Sequence, residues 1–345
     1  MGIKRSIIAA VLLLSLLILP GCAISEDLFE SETAALESLS AAPNYRLLHD
    51  FRGHNDLIDV NGAAGRNTSG FSDVAAQRDA LWVLRRGIIY QDEVMIDRAV
   101  KAMEYGFDHQ NAQGYFENAL GASPLLAVEA DAFFMQAYAR MYLLLQNSVQ
   151  FSGYTARLDA LRPQSANAML WLKQNTAELY RQERDAPNRL VFTGIAFLLN
   201  GQLLNEPNLI DIGYQFIDEA LDMQHPDGYF LEKGGYDSSY QAVSLLNLMI
   251  VRYYTENEPM RVKLYDAVAL GMAWEKTRIE ADGNILVEGN TRTGLGQEEF
   301  LGSIKGVNYP EVALSVYYWS RLTGSEGDVI LAETIVNNLR VKLGG

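Results

Sequence analysis

Cysteine is nearly missing from this chain of 345 residues. Cys22 is the only one, so no disulfide can form within a monomer and the fold must stand on its core alone. Histidine is scarce too: His49, His54, His109 and His225 all lie outside helix interiors. No two of them have the spacing of a helical zinc site, so no structural metal is expected. Positive charge is in deficit, with 28 Lys and Arg against 43 Asp and Glu and a formal net charge of −15. Nucleic acid is therefore not expected as a partner. The same sign disfavours long-range capture of an acidic polysaccharide, so such a ligand would have to be held by local arginines in a cleft. The apolar run from Ile7 to Leu19 falls short of the ~20 residues that a membrane span needs. The glycine-rich pieces at 62–70 and 289–306 lack the strand-then-helix context of a nucleotide fingerprint, and no cofactor is expected.

What is present begins with an export signal. Lys4 and Arg5 precede the apolar run, and Leu-Pro-Gly precedes Cys22, a tripartite pattern of the secretory type. A small residue just before a lone cysteine resembles the bacterial lipoprotein signal. That resemblance implies that Cys22 becomes the lipidated first residue of the mature chain. Loss of residues 1–21 would take the net charge to −17, since Lys4 and Arg5 leave with them. Residues 22–43 are rich in Ser, Glu and Ala with no sustained apolar face before Leu36, and read as a tether in which a short helix is possible. Residues 44–345 read as one domain, with 49% hydrophobic residues over the whole chain and enough length for a sizeable core.

Along that domain the periodicity predicts an all-α fold. Ten helices are expected, near 72–87, 91–109, 124–146, 155–182, 189–204, 207–224, 238–255, 259–278, 309–323 and 327–343, with Pro163 kinking or splitting the fourth. They pair into five hairpins. Loops after the odd helices are short, whereas those after the even ones are mostly long and polar (110–123, 225–237 and 279–308, with a shorter 183–188). In an antiparallel succession these loops emerge at one end, together with 44–71. Three carry a common motif: Gln113-Gly-Tyr-Phe-Glu117, Asp227-Gly-Tyr-Phe-Leu-Glu232 and Asp282-Gly-Asn-Ile-Leu-Val-Glu288. Asp227 and Asp282 are 55 residues apart, and Gln113 and Asp227 are 114 apart, close to two such units. A hairpin repeat of this length predicts an incomplete α/α toroid with small turn or strand loops at one end. The motif admits two readings. It closes each hairpin, or it offers Tyr115 and Tyr229 as sugar platforms.

The richest chemistry lies between His225 and Leu246, where a Pro-Asp-Gly turn, a short extended piece and Gly234-Gly235 lead into a new helix with Ser238 or Ser239 as its cap. Tyr236 and Tyr240 are four apart, so an early helix start would put both phenols over one face. The loop Asp227-Gly-Tyr-Phe-Leu-Glu-Lys-Gly-Gly-Tyr-Asp-Ser-Ser-Tyr240 resembles that of heparinase II/III-like and oligoalginate polysaccharide lyases. There a turn, a Glu and a Gly precede a catalytic tyrosine at the start of an inner toroid helix. Those lyases open the preceding inner helix with Asn-His; this chain has Asn188-Arg189, retaining the amide and replacing the histidine. The motif match covers about residues 180–250, and no additional β-sandwich domain is evident.

The resemblance implies β-elimination across a uronic acid. Its C5 proton becomes removable when the neighbouring carboxylate is neutralised, here by Asn188 and an arginine. Tyr240 or Tyr236 would take that proton, and the same or another phenol would protonate the leaving oxygen. Arg189 would pair the carboxylate and favour the ionised phenol. His225 joins these as a catalytic candidate, and His54, Arg66, Tyr115, Tyr229, Glu232 and Arg292 as substrate-binding ones. His54, Arg66, Asn188, His225, Tyr236, Tyr240 and Arg292 are expected to line one concavity. A glycoside hydrolase would instead need two carboxyl groups flanking one bond, and Glu117, Glu129, Asp131, Glu232, Asp237, Glu288, Glu298 and Glu299 offer many pairs. A third reading is an envelope lipoprotein that binds glycan or scaffolds without catalysis. Ala23 after Cys22 points to the periplasmic face of an outer membrane, with the lipid as the sole membrane contact. Incorporation of labelled palmitate is expected to disappear in Cys22→Ala; unchanged labelling would overturn the lipoprotein assignment.

Overall fold

The structure, a computed structural model, describes residues 31–39, 58–118, 127–294, 297–300 and 303–344. The signal segment, Cys22 and His54 lie outside the described residues. The described chain is all-helical, with α1 (Glu32–Leu39), α2 (Ala80–Tyr90), α3 (Glu93–Asp108), α4 (Val128–Asn147), α5 (Thr155–Asp159), α6 (Arg162–Gln174) and α7 (Thr176–Glu183). These are followed by α8 (Pro187–Leu204), α9 (Pro207–Asp222), α10 (Ser238–Tyr254), α11 (Glu258–Lys276), α12 (Tyr309–Thr323) and α13 (Glu326–Lys342). Among the described residues the strand content is one two-residue ladder, Glu299–Phe300 against Ser303–Ile304, and a few isolated bridges. The expected fourth helix is divided into α5, α6 and α7, and Pro163 occupies the first turn of α6, where its missing N–H costs nothing.

The boundaries follow from local chemistry. Asp92, Asn257 and Ser325 cap α3, α11 and α13 by accepting backbone N–H bonds from the first turn. Pro187, Pro207, Pro259 and Pro310 stand in the first turns of α8, α9, α11 and α12. The first helix of each pair packs on the first helix of the next, α2 on α4, α4 on α8, α8 on α10 and α10 on α12. Arg85 of α2 also reaches the Tyr318 hydroxyl of α12 at 3.3 Å. These first helices are buried around much of their circumference, whereas α3, α9 and α13 bury one stripe.

One expectation is corrected at the N-terminus. Within the stretch read as a tether, residues 32–39 form α1, and its Leu36 and Leu39 are fully buried. Glu32, also fully buried, accepts from Arg140 at 2.6 Å and from the Tyr254 hydroxyl at 2.8 Å. Eight residues with two leucines at helical spacing are too short a signal to stand out in sequence; the docking rests on an ion pair to Arg140 and a hydrogen bond from Tyr254, both more than 100 positions away.

The recurring motif proves to be a turn that occurs four times. Asp59, Asn111, His225 and Glu280 each donate N–H to the carbonyl four residues on and accept from the glycine three residues on. Those glycines have φ of 95°, 95°, 108° and 82° at positions 62, 114, 228 and 283. Only glycine adopts such values freely, and space excludes other residues as well. A Cβ there would lie 2.3 Å from the Lys101 carbonyl oxygen, 2.4 Å from that of Asn167, 2.4 Å from that of Leu270 and 2.5 Å from that of Thr334. Each turn thus leans on the outer layer of the hairpin that follows it. Two residues after the glycine the chain turns inward, burying Ala64, Phe116, Phe230 and Ile285. The amides of these four residues are received by Gln77 at 2.8 Å, Asp131, Gln241 at 2.8 Å and Tyr309 at 3.3 Å. Leaving such an amide unmet would cost about 1–3 kcal/mol.

Gly228→Ala and Gly283→Ala should each lower unfolding free energy by roughly 2–4 kcal/mol, from left-handed strain and the backbone clash together. Denaturant titration measures this, and a loss near that of an exposed Gly→Ala would refute the stapling role.

Candidate active site

At the N-terminal ends of the first helices lies a concavity of about 560 Å³, within the range of small-ligand sites. Tyr240 enters it from the first turn of α10, Asn188 and Arg189 from the first turn of α8, and Glu129 from the first turn of α4. Arg292 and Lys305 reach it from the long loop before α12. The antiparallel-hairpin argument placed His54, Arg66, Asn188, His225, Tyr236, Tyr240 and Arg292 in one concavity; of these, Asn188, Tyr240 and Arg292 line it.

Asp237 organises this mouth. Its carboxyl accepts the Ser239 and Tyr240 amides at 3.1 Å, capping α10 in place of the expected Ser238 or Ser239. The same group accepts the Arg292 and Thr293 amides at 2.9 and 2.8 Å. Asn290 fastens the adjoining loop through Ser238 and Thr293. Arg292 is thereby fixed with its guanidinium 3.8 Å from the centre of the Tyr240 ring, a cation–π arrangement. Lys305 lies 5.8 Å from the same ring. Glu232 accepts from Arg292 at 2.5 Å and Glu298 from its Nε at 3.1 Å.

Glu232 sits beneath the cavity at 2% exposure. Burial pushes its carboxyl up to about 7, against the pull of Arg292. Burial likewise holds Arg292 back, but the Tyr240 ring and Glu232 carry it upward overall. Glu232 therefore supports the arginine and is not placed to touch a ligand itself. Glu183, buried below Asn188 and Arg189, is raised well above the carboxylate range by burial and then by Glu129. Arg189 bonds Glu129 at 2.9 Å, so its guanidinium is shared with a carboxylate of the cavity wall. Asn188 is 6% exposed and its Oδ1 meets no hydrogen-bond donor.

Several expected residues do not join. Tyr236 precedes α10 in extended backbone paired with Asn290, so it points away from Tyr240. Its ring packs instead on Tyr229 and Trp274, and its hydroxyl donates to the Glu288 carbonyl at 3.3 Å. His225 stacks on Tyr229 at 4.5 Å beside Asp227. Tyr229 and Tyr115 follow the turn glycines and face outward onto Trp274 and Trp171, at 5.4 and 5.0 Å. Alternation across the turn explains this, since the next residue is the one buried. Arg66 pairs with Asp73 away from the cavity.

Sequence reading missed the deeper wall. Trp82 and Arg85 of α2, Phe133, Gln136 and Arg140 of α4, and Asn247 of α10 all line the cavity. Their signal was polar residues at spacings of three, four and seven inside otherwise apolar helices. Six cations face the space: Arg78, Arg85, Arg140, Arg189, Arg292 and Lys305. The carboxylates lining it are three, Asp79, Glu129 and Glu311. A chain of net charge −15 thus lines this concavity with more cations than carboxylates, alongside the aromatic faces of Trp82, Phe133, Phe192 and Tyr240. No group of three or more His, Cys, Asp or Glu able to hold a metal occurs among the described residues. Neither a family model nor a curated protein matches the chain.

Glu232 supplies a pH test. Between about 4.5 and 7 the native state holds a proton that the unfolded chain has released, so stability falls as pH rises through that window. Relative to Glu232→Gln, the wild type should lose roughly 1–3 kcal/mol between about pH 5 and about pH 8. A pH-independent difference in melting free energy would show that Glu232 does not titrate there.

Proposed function

We propose that this protein is a polysaccharide lyase that cleaves a uronate-containing glycan by β-elimination, in a cavity ringed by an incomplete α/α toroid of five hairpins. The observation that carries the reading is the clamped Tyr240–Arg292 pair in a concavity with twice as many cations as carboxylates. An acidic protein gathers buried positive charge in this way for an anionic ligand. The ring is favoured by the chain-order packing of the first helices and by the Arg85–Tyr318 bond between the first and last pairs.

In this reading the sugar carboxylate is met by the Asn188 amide and a cavity arginine, which lowers its charge and makes the C5 proton removable. The Tyr240 oxygen takes that proton. The C4–O bond breaks as the C4–C5 double bond forms, and the departing oxygen receives a proton. With Tyr236 turned away, Tyr240 is the cavity's phenol for both transfers, taking the proton as base and returning it to the leaving group. Arg292 and Lys305 face the negative charge that accumulates on the sugar as the proton departs. Trp82, Phe133 and Phe192 provide apolar faces for pyranose rings.

A hydrolase is the weaker reading. Of its eight candidate carboxyls only Glu129 lines the cavity; Asp237 and Asp131 are consumed in capping α10 and receiving the Phe116 amide. A purely binding lipoprotein would use the same cavity without turnover. For location, we propose that lipid on Cys22 holds the protein at the periplasmic face of an outer membrane. No helix among the described residues is long and apolar enough to cross a membrane.

Incubation with a panel of uronate polymers should produce the ultraviolet absorbance of an unsaturated uronate; new reducing ends without it would indicate hydrolysis, and binding without new ends a scaffold. Tyr240→Phe should cut turnover by roughly 10²–10⁴ with little change in melting temperature, whereas Tyr236→Phe should leave it near wild type. Asn188→Ala should cost about 2.7–4 kcal/mol in the activation barrier if its amide acts like other oxyanion donors. Full activity in both Tyr240→Phe and Asn188→Ala would sink the elimination mechanism.

A further inference from the structure

The cavity deepens along α4 and α10. From Glu129 in the first turn of α4 to Arg140 is eleven residues, about 16 Å of helix, and from Tyr240 to Asn247 is about 10 Å. At this depth two guanidiniums converge, Arg85 at 2% and Arg140 at 3% exposure. Arg140 is held by Glu32 at 2.6 Å and lies 3.5 Å from Asn247 Oδ1. Arg85 bonds the Tyr318 hydroxyl and rests 4.8 Å from the Trp82 ring. Glu32 is the carboxylate that both arginines stabilise. Burial opposes its ionisation, but Arg140 and then Arg85 hold it below the usual range.

The balance is unequal. Glu32 is already committed to Arg140 and Tyr254, leaving two buried cations to one anion. The Nε groups of Arg85 and Arg140 and the Oε1 of Gln136 are buried with no hydrogen-bond partner. Neither the Tyr254 nor the Tyr318 phenol supplies the missing charge: burial, and after it Glu32, raise the first well above its ordinary value, and burial pushes the second up to about 12. A buried cation lacking its counter-ion is costly unless a ligand completes it. Beneath the floor runs α1, whose Thr33 hydroxyl bonds the Leu144 carbonyl and whose Ser38 meets the Tyr317 hydroxyl.

We propose that this floor is a second anion subsite, which takes the carboxylate of a terminal uronate while the Tyr240–Arg292 mouth holds a different sugar of the same ligand. Its depth separates it from the mouth by about 10 Å, and α1 packs beneath it with Glu32, Leu36 and Leu39 fully buried, so among the described residues the floor favours an end group over a continuing chain. The identity of its ligand rests on the uronate-glycan reading above, but its existence does not depend on elimination chemistry.

The test is calorimetric titration of the full chain with the monosaccharide glucuronate, with glucose as the neutral control. Wild type and Tyr236→Phe are expected to bind glucuronate alike and glucose not at all. Arg85→Met should weaken glucuronate at least tenfold, and Arg85→Lys, which keeps the charge, should recover part of the loss. Without ligand, Arg85→Met should melt no lower than wild type because an uncompensated buried cation has been removed; should it fail to fold, Arg85→Lys against wild type carries the comparison. Undiminished binding by Arg85→Met, equal binding of glucose, or no binding by the wild type would overturn the subsite. Binding lost in Arg292→Ala but kept in Arg85→Met would place the carboxylate at the mouth and overturn the floor site while leaving the lyase reading intact. Conversely, an Arg85-dependent affinity in a protein that yields no unsaturated product would sink elimination and leave the subsite standing.

Discussion

The mouth of the cavity depends on the carboxyl of Asp237. It receives two amides from the start of α10 and two from the loop at Arg292–Thr293, joining segments 55 residues apart in sequence. An N-cap ordinarily contributes about 1 kcal/mol to a helix. Here the other oxygen of the same carboxyl, Oδ2, also dictates where Arg292 stands, and Arg292 covers the Tyr240 ring. Loss of Asp237 would uncouple the arginine from the phenol even if α10 survived. It would also leave Glu232, buried and bonded to that arginine, without a fixed partner.

Around this mouth the architecture repeats one device. A glycine turn leans on an outer helix, and the amide two residues later is received by a polar side chain at or just before the start of an inner helix, Gln77, Asp131, Gln241 or Tyr309. Buried polar residues near the site are thus divided between two tasks. Asp131 and Gln241 close turns, whereas Asn188 Oδ1, Gln136 Oε1 and the Nε groups of Arg85 and Arg140 are left unmet. Native proteins rarely leave such groups orphaned, and these four belong to residues that line the cavity.

Helices were legible because apolar periodicity and proline or Asx punctuation agreed along the domain; Pro187, Asn257 and Ser325 all begin helices where local chemistry says they should. The Asn188–Tyr240–Arg292 convergence was legible from loop parity alone. Tyr236 was misjudged because a four-residue spacing means a shared face only inside a helix, and α10 starts two residues later. Tyr115 and Tyr229 were ambiguous because a turn's inward and outward residues look alike in sequence. Arg85 and Arg140 were hidden, since an arginine in an apolar helix reveals neither its depth nor its partner, and Glu32 lies more than 100 residues from Arg140.

The docking of α1 also sets a direction. Glu32 binds Arg140 and Tyr254 far down α4 and α10, at the end away from Asn188 and Tyr240. Only ten residues separate it from Cys22, at most about 35 Å of chain even fully stretched. With lipid at Cys22, as proposed, that leash would hold the α1 side of the domain toward the bilayer and turn the mouth outward, where a dissolved ligand would arrive by diffusion without first crossing the lipid surface.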